Sequence, residues 1–248
     1  MLTIVGFYTD DFLYSEHARL LKDSAKKNGL NIELQCYKKD EWQKIIAMKS
    51  SFILEKRKKI KGKILYIDVD AVILENIQPF FESINEDVGI HFLENKLTDE
   101  IELISGTIFI NDTYNALKIC EEWVRRQIEQ PDIWDQKILQ EIIQEWERKG
   151  SIIVNRLPAN YTYIFDISKA AYGYNCIPAI EQLQASRDIR WLDKYKKRPF
   201  YTRIFMKYSK FSKASSSIIA RHNHVNERAE QLGSNVYFSL EKIAQMAE

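Results

Sequence analysis

An α/β fold with a Rossmann-like, mostly parallel sheet flanked by helices is predicted by three features of this 248-residue chain. From Leu2 to Leu74, strand-like and helix-like patterns alternate, as in a parallel sheet built from crossover units. The continuous apolar run Ile64-Leu65-Tyr66-Ile67 suits a central strand covered on both faces. That run ends in Asp68-Val69-Asp70, and open α/β sheets bind ligands at the carboxyl ends of such strands.

The elements follow in order. Leu2 to Tyr8 reads as a first strand, broken by Thr9-Asp10-Asp11. Ser15 is placed to cap a helix running to about Asn28, with Ala18, Leu21 and Ala25 on one face and Gly29 past its end. Ile32, Leu34 and Cys36 alternate with polar residues and predict a second strand. Trp42 to about Ile60 carries a mainly helical pattern stopped by Gly62, and the Ile64 strand follows. No GxGxxG follows the first strand, so a dinucleotide fingerprint is absent.

Val88 to Phe92 predicts a short strand. Ser105-Gly106-Thr107 leads into Ile108-Phe109-Ile110, a tight backbone approach feeding another strand. Thr113 to Glu129 is helical, and Pro131-Asp132 opens a helix with a stripe of Leu139, Ile142, Ile143 and Trp146. Ile152-Ile153-Val154 reads as a strand, Leu157-Pro158 begins an irregular Tyr-rich region, Ser215 to Ala220 reads as a final strand, and a last helix starts near Leu240.

Composition narrows the function classes. The formal charge of +1 gives no case for nucleic acid, and 45% apolar with 29% charged residues marks a globular chain. Cys36, Cys120 and Cys176 are odd in number and form no CxxC, which argues for a reducing compartment rather than a disulfide framework. The N-terminus lacks the basic flank of a signal peptide, and no stretch reaches the ~20 apolar residues of a membrane span. A cytoplasmic location is expected. From 194 to 213 the chain holds eight Lys or Arg, no acid and six aromatics, a basic aromatic extension. Residues 1–190 read as the ligand-binding and catalytic domain. Residues 191–248 read as a segment packing on it or closing over it. The basic stretch has three readings: a flap closing on an anionic ligand, a peripheral contact with an anionic inner-membrane surface, or a solvated helix pair with aromatic core residues.

Two aspartates on an apolar element are costly unless paired or metal-bound, and residues two apart on an extended chain project to one side. Asp68 and Asp70 are therefore candidates to face one cation.

Four motifs in order carry a resemblance to the metal-dependent nucleotide-sugar glycosyltransferases of the A fold, the type that includes glycogenin and the bacterial lipopolysaccharide galactosyltransferases. Phe7-Tyr8-Thr9, with Tyr14, resembles that family's first strand and uridine loop. Ile64 to Asp70 resembles its LYLDxD metal strand. Ser105 to Asn111 resembles its NSGvmliN strand, with Ile104-Ser105 in place of Asn-Ser. Asp135-Gln136 resembles its DQ pair. His222 stands where the family places a late metal-binding histidine, but the Gly-x-x-Lys-Pro-Trp that should follow is replaced by Asn223-His224-Val225-Asn226. The match spans roughly residues 1 to 165, plus the histidine.

The resemblance implies a mixed, mostly parallel sheet and transfer of a hexose from a UDP-sugar to a glycan, lipid-linked or protein acceptor, in cell-surface polysaccharide or glycoconjugate synthesis. Its stereochemistry leans towards retention. Asp68, Asp70 and His222 would hold Mn²⁺, with Mg²⁺ possible. A hard divalent ion neutralises a departing diphosphate, and manganese accepts an imidazole ligand. Phe7, Tyr8, Thr9, Tyr14, Asp68, Ser105 and Gly106 would bind the donor. Asp135 would bond sugar hydroxyls, with Gln136 beside the anomeric carbon. Lys49 falls near a donor-binding position of relatives.

Plainer readings stand beside these. Asp135 complements a helix dipole, with a possible back-bond to Asp132. Ser105 and Gly106 shape a bend, Lys49 is an ordinary solvated helix lysine, and His222 and His224 are alternatives for the metal or both solvated. His17 and His91 read as structural. A haloacid-dehalogenase phosphatase also opens with Asp-x-Asp-x-Val, making Asp68 a nucleophile and Asp70 its acid/base. It needs a later acidic pair that the sequence lacks, and its motif normally opens the domain. A degenerate sugar-nucleotide-binding module without turnover is the non-enzymatic alternative.

Overall fold

The computed structural model describes residues 1–38, 42–95, 100–173, 175–199, 201 and 216–245, with backbone alone for 42–47 and 95. Strands β1 (Leu2–Thr9), β2 (Ile32–Tyr37) and β3 (Lys63–Ile67) alternate with helices α1 (Phe12–Lys27) and α2 (Trp42–Lys59). There follow β4 (Ala71–Ile73), α3 (Gln78–Ser83), β5 (Val88–Asn95), β6 (Glu100–Ile110), α4 (Tyr114–Glu129) and α5 (Asp135–Arg148). The chain continues with β7 (Val154–Arg156), β8 (Tyr163–Ile164), α6 (Ile167–Tyr172), β9 (Ile180–Gln182), α7 (Ser186–Lys196), α8 (Ser216–Leu232) and α9 (Leu240–Gln245).

Six strands form one mixed sheet in the order β2-β1-β3-β6-β5-β7. β1 runs parallel to both β2 and β3, and β5 parallel to β7, whereas β6 is antiparallel to β3 and β5. The run 64–67 is buried on both faces because its side chains alternate. Ile64 and Tyr66 enter the core shared with Phe52, Trp123, Ile138 and Ile142, while Leu65 and Ile67 enter the core shared with Leu21, Ala25 and Phe81. Each such aliphatic side chain contributes about 1.5–3 kcal/mol on full burial. Gly6 lets β1 approach this strand: a Cβ there would lie 2.7 Å from the Ile67 carbonyl oxygen.

A second sheet, β4-β9-β8, was not foreseen in the sequence. Its strands are two or three residues long, too short to show a period of two. It shares a third core with α1, α7, α8 and α9 through Leu13, Val72, Leu183, Leu192, Val225 and Phe238.

Local expectations shift at four places. Asp11 rather than Ser15 caps α1, its carboxylate accepting from Tyr14 N at 3.1 Å. Helix α5 starts at Asp135, not at Pro131. The strand predicted over 152–154 pairs over Val154–Arg156 instead. The predicted strand over 215–220 is, from Ser216, the first turns of α8; its β-branched run is short and lies on a helix that buries Ile218 and Val225. Most of the basic stretch, residues 202–213, lies outside the described residues, so its three readings stay open. Tyr195 is buried against Trp191. Among the described residues, no helix is long and apolar enough to cross a membrane.

Candidate functional site

The two aspartates sit where the chain leaves one sheet for the other. β3 ends at Ile67, Asp68 O accepts from Ala71 N at 3.1 Å, and β4 begins at Ala71. The motif does lie at the carboxyl end of β3, but as a tight turn rather than the extended backbone expected to put both carboxylates on one side. Strand alternation is therefore not what brings the carboxylates together. Antiparallel pairing puts Gly106 opposite: Asp68 N donates to Gly106 O at 2.9 Å. That pairing places Ser105-Gly106-Thr107 beside the aspartates.

Asp68 is held on one side by Tyr66, whose hydroxyl donates to Oδ1 at 2.6 Å, and by Lys49, whose Nζ lies 3.0 Å from Oδ1. Lys49 also donates to Ser105 Oγ at 3.2 Å and lies 3.6 Å from Asp135 Oδ2. Burial alone would lower the Lys49 ammonium's pKa, but the charges of Asp68 and Asp135 outweigh it and push the group up to about 12. It stays a cation. Asp70 Oδ2 accepts from Ala185 N at 2.7 Å, at the end of the β9 connection. Burial, and then the charge of Asp68, push its carboxyl up to about 6, against the Ala185 bond and the nearby Arg221. The ionised form of Asp70 is therefore disfavoured where it stands, a cost that a neighbouring cation would relieve.

Asp135 opens α5, which complements the helix dipole. It is nonetheless buried, and its Oδ2 accepts no hydrogen bond. Burial raises its pKa, with Lys49 opposing. That Oδ2 lies 3.6 Å from Lys49 Nζ, and a carboxylate oxygen facing an ammonium has lone-pair capacity left for a ligand hydroxyl. Gln136 bridges two regions: its Oε1 accepts from Ser105 N and Oγ, both at 3.3 Å, and its Nε2 donates to Glu102 at 2.8 Å.

Residues near β1 fall into two groups. Phe7 is core, packed edge-on to Tyr37 and against Phe52 and Tyr66. Thr9 is buried and donates to Asp11 at 2.5 Å. Tyr8 is half-buried beside Cys36. Tyr14 reaches the aspartates: burial, then the charges of Asp70, Asp11 and Asp68, raise its phenol well above the usual value. Gly106 serves packing, because a Cβ there would lie 2.8 Å from Gln182 Cδ, and Gln182 Nε2 donates to Gly106 O at 3.1 Å.

His222 is placed differently from the sequence expectation. It lies on α8, buried, with Nε2 3.0 Å from Asp188 Oδ1, and Asp188 also pairs with the fully buried Arg221. His224 pairs with Glu181 at 3.0 Å and stacks on Phe165. Among the described residues, no group of three or more His, Cys, Asp or Glu is arranged to hold a metal ion. His222 and His224 stand two apart on a helix and so face different ways. The donor set that remains, Asp68 and Asp70, fits a hard divalent ion of the kind bound by one or two carboxylates together with a substrate's phosphates. His17, against Arg221 and Phe238, and His91, bonded to Leu157 O and Tyr172, are structural.

The sequence reading undervalued Lys49 and missed Tyr66 and Gln182. Tyr66 carried a signal, a lone hydroxyl in an apolar run two residues before Asp68. Gln182 carried none.

A sequence model of the nucleotide-diphospho-sugar transferase family matches residues 9–210. No curated protein matches the chain. Among solved structures, the fold is similar to a glycosyltransferase involved in the glycosylation of the major capsid of PBCV-1. The TM-score is 0.55 at 14% identity, over 76% of this chain and 97% of that one. It is also similar to the glycosyltransferase GlyE of Streptococcus pneumoniae TIGR4, with a TM-score of 0.51 at 13% identity, over 85% of this chain and 64% of that one.

Proposed function

Because the chain belongs to the nucleotide-diphospho-sugar transferase family, and is a glycosyltransferase, we propose that it moves a hexose from a UDP-sugar to a glycan, lipid-linked or protein acceptor with the help of a divalent metal. The observation that carries the reading is the convergence of Lys49, Asp68, Ser105, Asp135 and Gln136 on one point beside Asp70.

Asp68 and Asp70 would hold Mn²⁺ or Mg²⁺, which supplies charge neutralisation to a diphosphate. Lys49 adds a fixed positive charge at the same place, oriented before any ligand arrives, so little reorganisation is needed. Asp135 Oδ2 accepts a hydroxyl of the donor sugar, and the Gln136 amide flanks the sugar's reacting carbon. Tyr8 and Tyr14 line the nucleotide end, with Phe7 and Thr9 supporting them from below. Ser105 orients Lys49 and Gln136 rather than acting alone, and Gly106 gives Gln182 its place. His222 is left out of the metal set because, among the described residues, it does not group with Asp68 and Asp70. The phosphatase alternative is set aside by the family assignment. Synthesis of cell-surface polysaccharide or glycoconjugate is the role this chemistry suits.

The test is a thermal-shift screen of nucleotide sugars with and without Mn²⁺, followed by donor hydrolysis. Stabilisation follows RT ln(1 + [L]/Kd), so a ligand at about 100 times its Kd adds roughly 2.7 kcal/mol. A metal-dependent shift with one UDP-sugar is expected. Equal shifts without metal would remove the metal from the reading, and no shift with any nucleotide sugar would end it.

A further inference from the structure

Trp134 is the residue just before Asp135, in extended conformation at the start of α5, and its side chain is 68% exposed. Tryptophan is highly buried on average, so an indole left this open beside a site invites explanation. It borders a cleft of about 660 Å³ lined also by Glu102, Asp132, Gln136, Lys137 and Gln140, within the size range of small-molecule sites. Carboxylates and amides offer hydroxyl partners in several directions, and the negative face of an indole attracts the weakly positive C–H face of a pyranose. The lining carries three carboxylates, Glu102, Asp132 and Glu141, against one ammonium, Lys137. An anionic occupant would be repelled.

The cleft joins the donor site through one side chain. Gln136 accepts from Ser105 on the side of Lys49 and Asp68, and donates to Glu102 on the side of the cleft. A sugar held by Asp135 and a molecule lying on Trp134 therefore meet across a single amide. We infer that this cleft is the acceptor subsite, and that it takes a neutral pyranoside stacked on Trp134. The inference rests on the donor reading given above. The transfer it serves forms a bond from an acceptor hydroxyl oxygen to the anomeric carbon. The bond from that carbon to the diphosphate breaks, and the hydroxyl proton leaves with the diphosphate.

Saturation-transfer NMR tests it with methyl glucoside, galactoside and mannoside and with methyl glucuronide, on the wild type, Trp134→Ala and Trp134→Phe. At least one neutral pyranoside should receive transfer from the wild type. The signal should fall about fivefold to tenfold in Trp134→Ala and return in Trp134→Phe, as for an aromatic anchor. The glucuronide should give less than the neutral sugars. No transfer to any pyranoside, a signal retained in Trp134→Ala, or a preference for the glucuronide would overturn the assignment. The nucleotide-sugar thermal shift, measured on the same proteins, separates the two readings. It should be the same in Trp134→Ala as in the wild type; its loss in Trp134→Ala alone would move Trp134 to the donor and overturn the subsite, whereas its absence in the wild type would sink the donor reading.

Discussion

Lys49 Nζ lies 3.0 Å from Asp68 Oδ1, although the two stand 19 positions apart on a helix and at the end of a strand. The lysine side chain is 12% exposed and the aspartate's 29%, so this is a half-sheltered ion pair. Replacing Lys49 by Met leaves Asp68 and Asp135 facing each other without a cation. We expect urea unfolding to show a loss of about 1–3 kcal/mol, the cost of an unsatisfied buried group, and the nucleotide-sugar thermal shift to shrink. An unchanged shift would detach Lys49 from donor binding.

Asp68→Asn and Asp70→Asn should separate two roles. Both should cut sugar transfer roughly a hundredfold or more, the scale seen when a charge-stabilising group is lost. Asp70→Asn removes the carboxylate whose charge is opposed by burial and by Asp68, so its protein should be no less stable than the wild type in metal-free buffer. Chelation should abolish the nucleotide-sugar shift in the wild type and change little in either variant.

Gly6→Ala tests the route by which β1 supports the site. The added Cβ would stand 2.7 Å from the Ile67 carbonyl oxygen, a backbone atom one residue before Asp68. Overpacking of this kind costs about 1–3 kcal/mol. Thermal denaturation should report that loss together with weaker donor binding, whereas Gly150→Ala, at a site with open space and φ +66, should affect stability alone.

His91 sets a pH dependence. Leu157 O can only accept, so Nδ1 carries the hydrogen and Nε2 accepts from Tyr172 OH. Burial lowers the ring's pKa below the ordinary 6.5. A histidine with a depressed folded-state pKa binds its proton first in the unfolded chain. Its contribution to stability is therefore intact above the unfolded value and is lost as pH falls below it. An NMR titration should place the His91 midpoint below 6.5, and urea unfolding should show stability falling below that pH with a shallower slope in His91→Gln.

The thiols should react in an order set by burial. Cys36 is exposed, whereas burial pushes the Cys120 thiol up to about 12. Iodoacetamide should label Cys36 in the native protein and Cys120 only after denaturation, as mass spectrometry of the digests will show.

How far the sequence carried depended on the length of each signal. The alternation of β1, β2 and β3 with two helices, and with it the mostly parallel sheet, was legible because those elements are long enough to show their patterns. Asp68, Asp70, Ser105, Asp135 and Gln136 were legible as local motifs. What was hidden is what packing decides. Lys49 reads as one more helix lysine until α2 is laid across β3. The small sheet has strands of two or three residues, and Gln182 meets Gly106 only because that sheet folds back on the large one. His222 reads as a ligand if 215–220 is extended, and as a partner of Asp188 once α8 forms.

The turn from Asp68 to Ala71 has a mechanical meaning. One carboxylate belongs to the rim of the large sheet and the other to the start of the small one, with only Val69 between them. Whatever grips both oxygens at once also ties the large sheet to the small one along the seam where they pack together. Donor binding should then be felt as stiffening in β9 and α8, which meet the site through Gln182 and Arg221, and a loosened small layer should show itself first as a poorer grip on the nucleotide.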